Sequence, residues 1–535
     1  MFRRGAKGDK DEKTARREMR RNDHYHRSAD DQLLWEYMIT TGEVIVKDRD
    51  TEKMSHLDDR EAREPSGSMA KAVSRRDFLR IAGIAGATVG VGAGLGGLVA
   101  ACGGEAETTT TTTAGATTTT AGATTTVSAE LPVRPIKIGV TAPKTGVYAP
   151  FAEPIEYIVQ RVTEVTAGGV TTGDGRNHAI EFVVRDTQSD SNRAAQVAGD
   201  MINNDKVDMI LSSGSPDNVN PVADQCEALG TPSLSGYNPW QPFIFGRGGS
   251  MEQPFKWTYL HAMGIGEFVN ADAYVMGLLE TNKVVALLFA NTTDGQAWAD
   301  ENTGYPAALK AEGYTVVMPS LYPPGVEDFT AQIAEFKKEG CEICVGTPSP
   351  AELSNFWKQA IQQGFNPKIL CAGLAALFPA VIESIGPSIT NCVGSINWHP
   401  TWPYKSSLSG ETNQEFADAW EKSSGREWTQ VLGIYQIFEW AIDVLKRTTD
   451  VDDKEAILTA IQGTKMETVQ GPLDFTAALD PTPGKLHPHA NVVVTPVTSG
   501  QWVKGQKWPF EQVQVGNRNW PDLPNTATLQ PMLYS

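Results

Sequence analysis

From residue 133 onward, short apolar runs alternate with helical periodicity. Pro135-Ile-Lys-Ile-Gly-Val-Thr141 reads as a strand that ends in a Pro/Gly loop at 142–146. Ile155, Ile158, Val159, Val162 and Val165 then share one face of a helix over 153–166, which Gly168-Gly169 stops. Strands at 179–185 and 207–211 and helices at 191–202 and 222–229 continue the rhythm. It restarts at 283–289, with helices at 300–312, 329–338 and 351–364 and strands at 314–318 and 341–345. Residues 407–448 read as mostly helical. The Trp-, Pro- and Gly-rich tail from Val492 is expected to pack across both halves. Strand and helix in alternation specify a parallel sheet with helices on both faces, so the fold class is α/β. The rhythm runs twice, which predicts two similar doubly wound lobes and not one large sheet.

The residues ahead of this body carry an address and no fold. Ser74-Arg75-Arg76-Asp77-Phe78-Leu79-Arg80 precedes a small-residue apolar run ending in Leu98-Val99-Ala100-Ala101-Cys102. A twin arginine (Arg75, Arg76) before such a run over 74–101 reads as an export signal of the twin-arginine type. Cys102 then becomes the lipid-bearing mature N-terminus. A transmembrane helix over 81–101 is the competing reading, but Gly and Ala dominate the run and leave it weakly hydrophobic. Residues 1–73 read as a charged, disordered n-region, and Met69 would supply a compact one as the true start. Residues 102–132 are Thr, Ala and Gly in runs, which cannot form a core and read as a tether.

Charge narrows the partners. Of 46 basic and 64 acidic residues, 19 and 17 lie in 1–101, which leaves 27 and 47 beyond it, a net charge of −20. Nucleic acid is excluded as an expected partner. Cysteines beyond Cys102 are Cys226, Cys341, Cys344, Cys371 and Cys392. Cys341 and Cys344 have redox spacing but begin a strand-like run, where a thiolate lacks the helix N-terminus that activates it. A structural disulfide suits an extracytoplasmic compartment, with Cys371 and Cys392 the candidate pair.

Ligands of open α/β sheets bind beyond the carboxyl ends of the strands. Here those ends read Thr145-Gly-Val-Tyr-Ala-Pro-Phe151, Ser212-Ser-Gly-Ser-Pro216, Pro232-Ser-Leu-Ser-Gly-Tyr-Asn-Pro239, Asn291-Thr-Thr-Asp-Gly295 and Gly346-Thr-Pro-Ser349. Small hydroxyl residues and glycines at helix starts let backbone N–H groups approach an anion, although the same residues also build plain turns and caps. There is no Gly-x-Ser-x-Gly elbow, no His-Glu-x-x-His and no Walker loop. His487 and His489 stand closest to a metal pair but lie in a Pro-rich loop. These features favour a binder over an enzyme, with no cofactor and no metal expected.

The opening strand 136–146, Gly168-Gly169, Val183-Val-Arg-Asp186 with Asn192-Arg-Ala-Ala, Lys206-Val-Asp-Met-Ile210 and Gly325-Val-Glu-Asp-Phe329 resemble, in order and spacing, type I periplasmic substrate-binding proteins of the leucine/isoleucine/valine and amide group. The resemblance implies two lobes closing on a small-molecule ligand, a monomer, and an ABC permease in the membrane as partner. It implies three hinge crossings, placed near 253–257, 393–398 and 471–475. Lobe one is then 133–255 plus 397–473, and lobe two 256–396 plus 474–535. By position, Phe151 matches an aromatic that covers the ligand. Gly214 and Ser215 fall in the loop that binds the ligand carboxylate, and Ser235, Gly236 and Tyr237 in the second such loop. Asp294 stands where relatives often have Tyr before Gly, and Thr347 falls in a third loop. Trp398, near a crossing, either stacks on a ligand or is plain core. The loop after Cys371, Ala372-Gly-Leu-Ala-Ala376, lacks the acid that commonly holds a substrate ammonium. An amine would need Asp294; an amide, or a carboxylate without an amine, needs no such partner. A ligand-sensing receptor of the same fold without transport is the alternative.

Overall fold

The first strand, β1 (Ile136–Ala142), is buried at every position except Lys137. Burial on both faces is the mark of a central parallel strand, and it explains the near-continuous apolar run. The structure, a computed structural model, describes residues 133–482 and 484–534. Arg75, Arg76, Cys102 and the whole of the expected signal and tether lie outside the described residues.

β1 pairs in parallel with β4 (Ile180–Asp186) and β5 (Met209–Ser213), and β6 (Ser233–Gly236) and β7 (Thr258–His261) extend the sheet. β2 (Val170–Thr171) and β3 (Asn177–His178) form a separate hairpin. The second sheet is built from β8 (Val284–Leu288), β9 (Thr315–Val317), β10 (Ile343–Gly346), β11 (Ile369–Ala372) and β12 (Val393–Ile396). Another hairpin, β13 (Lys465–Thr468) with β14 (Gly471–Asp474), precedes three last strands: β15 (Val492–Val493), β16 (Thr498–Lys504) and β17 (Phe510–Gly516). The sheet orders are β15-β7-β6-β5-β1-β4 and β17-β16-β12-β11-β10-β8-β9. Counted from its own first strand, each parallel core runs 2-1-3-4-5. The repeat in the hydrophobic rhythm is therefore a repeat of topology, and the α/β fold with two doubly wound lobes is observed.

The first and third crossings differ from those expected. Thr258–His261 pairs with Ser233, Leu234 and Ser235 of the first sheet, so the chain leaves that sheet after residue 261 and not near 253–257. The following helix, Ile265–Met276, packs on β12, β16 and β17 of the second sheet. The second passage follows β12, and helix Tyr435–Arg447 then lies against the first sheet, with Phe438 on Phe182 at 5.7 Å between ring centroids. Val492 and Val493 pair with Leu260 and His261 before β16 joins β12, so the last passage spans 494–497 and not 471–475. The tail thus adds strands to both sheets. The helix expected over 300–312 is shorter, Tyr305–Ala311 with Gly304 at its N-cap, and a separate short helix, Thr293–Ala299, precedes it. A Cβ at Gly304 would lie 2.3 Å from the Trp298 carbonyl oxygen, which fixes the bend.

The five described cysteines are buried and free. Cys371 and Cys392 do not form the expected disulfide: Cys371 is laterally paired with Val393, and the Cys392 thiol faces the Leu370 carbonyl oxygen at 3.6 Å.

Glu427, only 5% exposed, has no partner among the described residues for either carboxylate oxygen. Burial, with Glu383, Glu421 and Glu511 nearby, pushes its carboxyl up to about 9. A raised carboxyl contributes stability that is complete below its unfolded value and lost as pH climbs through the folded one. Glu427→Gln is therefore expected to hold its melting temperature between pH 6 and 9 where the wild type declines, by on the order of 2 kcal/mol at the alkaline end. Parallel pH dependences of the two proteins, followed by thermal unfolding, would refute this.

Candidate functional site

The carboxyl ends of strands from both sheets converge on one cavity of about 40 Å³ between the lobes. Phe151 reaches it from beyond β1, Ser215 and Pro216 from beyond β5, and Tyr237 and Pro239 from beyond β6. Met263 and Phe268 follow β7. From the second sheet come Asp294 and Trp298 after β8, Thr347 after β10, Gly373, Leu374 and Leu377 after β11, and Asn397 after β12. Except at Asn397, which follows β12 well ahead of helix Asn413–Ser424, the strand ends deliver these residues at or near the start of the next helix, as doubly wound sheets do. Phe151 also crosses to the second lobe, meeting Phe378 edge to face with centroids 5.1 Å apart.

Of the residues singled out by sequence, Phe151, Ser215, Tyr237, Asp294 and Thr347 line this cavity. Gly214, Ser235, Gly236 and Trp398 do not. Gly214 holds φ +123°, which a side chain resists, and turns the chain from β5 towards Ser215. Gly236 closes a tight approach, since a Cβ there would stand 2.9 Å from Gln436 Nε2. Ser235 is buried within β6 and its hydroxyl has no partner. Trp398 is core: it packs on Phe416 and Trp428 at 6.3 and 5.9 Å between centroids, and Gly433 is a glycine because a Cβ would lie 2.9 Å from the Trp398 Cβ.

The chemistry of the cavity rests on few polar groups. Tyr237, at φ +51°, points its ring inward, while its hydroxyl donates to the Gln430 carbonyl oxygen. The Ser215 hydroxyl accepts from Asn218 Nδ2 at 3.3 Å and makes no cap bond for helix Pro216–Leu229. Asp294 sits in the first turn of helix Thr293–Ala299, capped by Thr292, whose Oγ1 accepts from Gly295 N at 3.0 Å. Its Oδ1 has no partner. Burial pushes the Asp294 carboxyl up to about 7; the Trp298 indole opposes the rise without reaching hydrogen-bond geometry, and Asp217 adds to it. Trp298 Nε1 and both amide atoms of Asn397 are likewise buried and unpartnered. Among the described residues no lysine or arginine lines the cavity.

The anion cradle suggested by the hydroxyl-rich loops is thus largely apolar where it meets the cavity. Met263, Phe268 and Trp298 had no functional signal in the sequence, since apolar residues at helical spacing read as core. Asn397 fell inside the crossing expected near 393–398 and was not singled out as a site residue. Among the described residues no group of three or more His, Cys, Asp or Glu is placed to hold a metal ion, and His487 Nδ1 and His489 Nε2 face the carbonyl oxygens of Ala477 and Ser250 at 2.8 and 3.1 Å. No described helix is long and apolar enough to cross a membrane.

The family described as "Periplasmic binding protein" matches residues 135–501, more than half of the chain. Among solved structures, the fold is similar to a leucine binding protein from Thermotoga maritima (18% identity, 70% of this chain and 97% of that one, TM-score 0.57). It is also similar to the solute binding protein of an ABC transporter from Rhodopseudomonas palustris in complex with 3,4-dihydroxybenzoic acid (18% identity, 71% and 96%, TM-score 0.56). A fatty acid ABC transporter substrate-binding protein from Thermomonospora curvata aligns over 74% of this chain and 96% of its own, at 17% identity and TM-score 0.56. At these identities the likeness is one of fold. A comparison with curated proteins finds no match.

Proposed function

The chain belongs to the periplasmic binding protein family, and on that premise we propose that it is the solute-binding component of an ABC importer, held at the outer face of the membrane by a lipid on Cys102. The tether 102–132 would give the body reach towards its permease. The solute is small, with an apolar body against Phe151, Met263, Phe268 and Leu377 and a nitrogen-bearing head beside Asp294. One observation carries this: among the described residues, Asp294 is buried with an unpartnered oxygen in a cavity that no cation lines. A carboxylate solute would be buried beside Asp294 without a counter-charge, which is costly. A cationic or neutral nitrogen head meets an acceptor there. The dihydroxybenzoate of one structural relative is therefore the wrong charge for this site.

Thermal unfolding against amino acids, amides, amines and carboxylates tests the reading. A solute that binds only the folded protein raises stability by about 2.7 kcal/mol at a hundred times its Kd. Shifts are expected with amines or amides and not with simple carboxylates. A shift confined to carboxylates would refute the charge argument, and no shift with any class would refute solute capture.

A further inference from the structure

Asn397 is fully buried, lines the cavity, and leaves both side-chain atoms, Oδ1 and Nδ2, without partners among the described residues. Its backbone is held from both sides. Its N donates to Gln430 Oε1 at 2.8 Å, and its carbonyl oxygen accepts from Gln470 Nε2 at 2.9 Å. Gln430 is itself fixed, donating through Nε2 to the Ser395 carbonyl oxygen at 2.9 Å and to Gln512 Oε1 at 2.8 Å. The amide is thus presented rigidly at the point where the chain passes between the lobes, with its own donor and acceptor unspent. Buried amides without partners are rare and costly, and they persist where something else completes them.

We propose that Asn397 is a specificity-determining residue that reads a neutral head group carrying a donor and an acceptor side by side, a primary carboxamide or a urea, on the captured solute; the inference rests on the solute-binding reading above. The complement of an Asn edge is another amide edge, which makes two antiparallel hydrogen bonds to it in either orientation of the Asn397 amide. A carboxylate offers acceptors only and sets one against Oδ1. An ammonium offers donors only and leaves Nδ2 unpaired. The rest of the cavity agrees, because Asp294 Oδ1 and Trp298 Nε1 supply one more acceptor and one more donor. A neutral amide satisfies all three residues without burying a new charge. A site built to bond such a head rejects isosteres that cannot, because its own polar atoms are then left unpaired.

Four probes of matched shape test this at pH 8: isovaleramide, 4-methylpentan-2-one, isovalerate and isoamylamine, with leucine as a control for binding of any kind. Calorimetric titration of the full chain should show isovaleramide binding at least tenfold tighter than the ketone or the carboxylate. Asn397→Leu should bring the amide down to the level of the ketone, while the ligand-free melting temperature stays equal or rises, because no polar atom is left buried and unpaired. Asn397→Ala, which adds no bulk, should lose the same preference if the leucine variant folds poorly. An amide that binds no better than the ketone, or a preference that survives both substitutions, overturns the assignment. Binding of leucine or isoamylamine alone would overturn it and leave solute capture standing, whereas no binding of any of the five would remove both.

Discussion

Asp294→Asn should cost amine-bearing solutes at least about a hundredfold in affinity, roughly 3 kcal/mol, while neutral amides change only a few-fold. The difference follows from what the side chain loses. Asparagine keeps the shape and one acceptor oxygen but removes the only formal charge that faces the cavity among the described residues. An ammonium would then be buried with no counter-ion, whereas an amide still finds its acceptor. The pH dependence is the sharper test. Burial holds the Asp294 carboxyl at about 7, so below that pH binding an ammonium must expel a proton. Wild-type affinity for an amine should rise about tenfold per pH unit between pH 5 and 7, then level off. The variant should show no such slope. The ligand-free protein moves the other way, since a raised carboxyl stabilises the fold most at low pH and that contribution is lost as pH rises through 7. Calorimetric titration from pH 5 to 8.5 measures the slope directly. Equal loss for amines and amides, or a flat wild-type profile, would rule out Asp294 as the amine partner.

How much of this was legible follows from what each residue signals on its own. Strands flanked by helices announce themselves by apolar runs, and their carboxyl ends mark the loops within which the family resemblance singles out Phe151, Ser215, Tyr237, Asp294 and Thr347. Strand β7 was missed because Thr258-Tyr-Leu-His261 is four residues long and two of them are polar. The strands of the tail were missed for a related reason. Their buried positions include Gln501, Gln512 and Gln514, which read as solvent-facing until their partners are known. Gln514 Oε1 accepts from Trp402 Nε1 at 2.9 Å, and Gln501 Nε2 donates to the Asn391 carbonyl oxygen at 2.9 Å. Buried glutamines of this kind erase the alternation that marks a strand. Trp398 and Asn397 show the same limit at one step. Successive residues after a strand face opposite ways, so the conspicuous aromatic entered the core and the unremarkable amide beside it reached the cavity.

Gly295→Ala separates the position of Asp294 from its chemistry. A Cβ at Gly295 would lie 1.9 Å from the Ala290 carbonyl oxygen and 2.9 Å from its carbon. That obstacle is backbone and not the end of a flexible side chain, and it is held in place. Ala290 is bridged in parallel to Tyr322, and the next residue, Asn291, donates its N–H to the Tyr322 carbonyl oxygen at 2.7 Å. The first turn of helix Thr293–Ala299 must therefore move, which breaks the Thr292 cap on Gly295 N and carries Asp294 and Trp298 with it. The expected cost is about 3 kcal/mol or more, at the upper end of what overpacking a close-packed site produces. Gly168→Ala is the control, since nothing stands within 4 Å of its Cβ and its conformation is ordinary, so its effect should stay within about 0.5 kcal/mol. Denaturant unfolding gives both numbers. The binding pattern discriminates further: displacing the whole turn should weaken amides and amines together, whereas Asp294→Asn weakens amines alone. A Gly295→Ala protein that unfolds with the wild type, or that loses only amines, would mean that the close approach to Ala290 does not set where Asp294 stands.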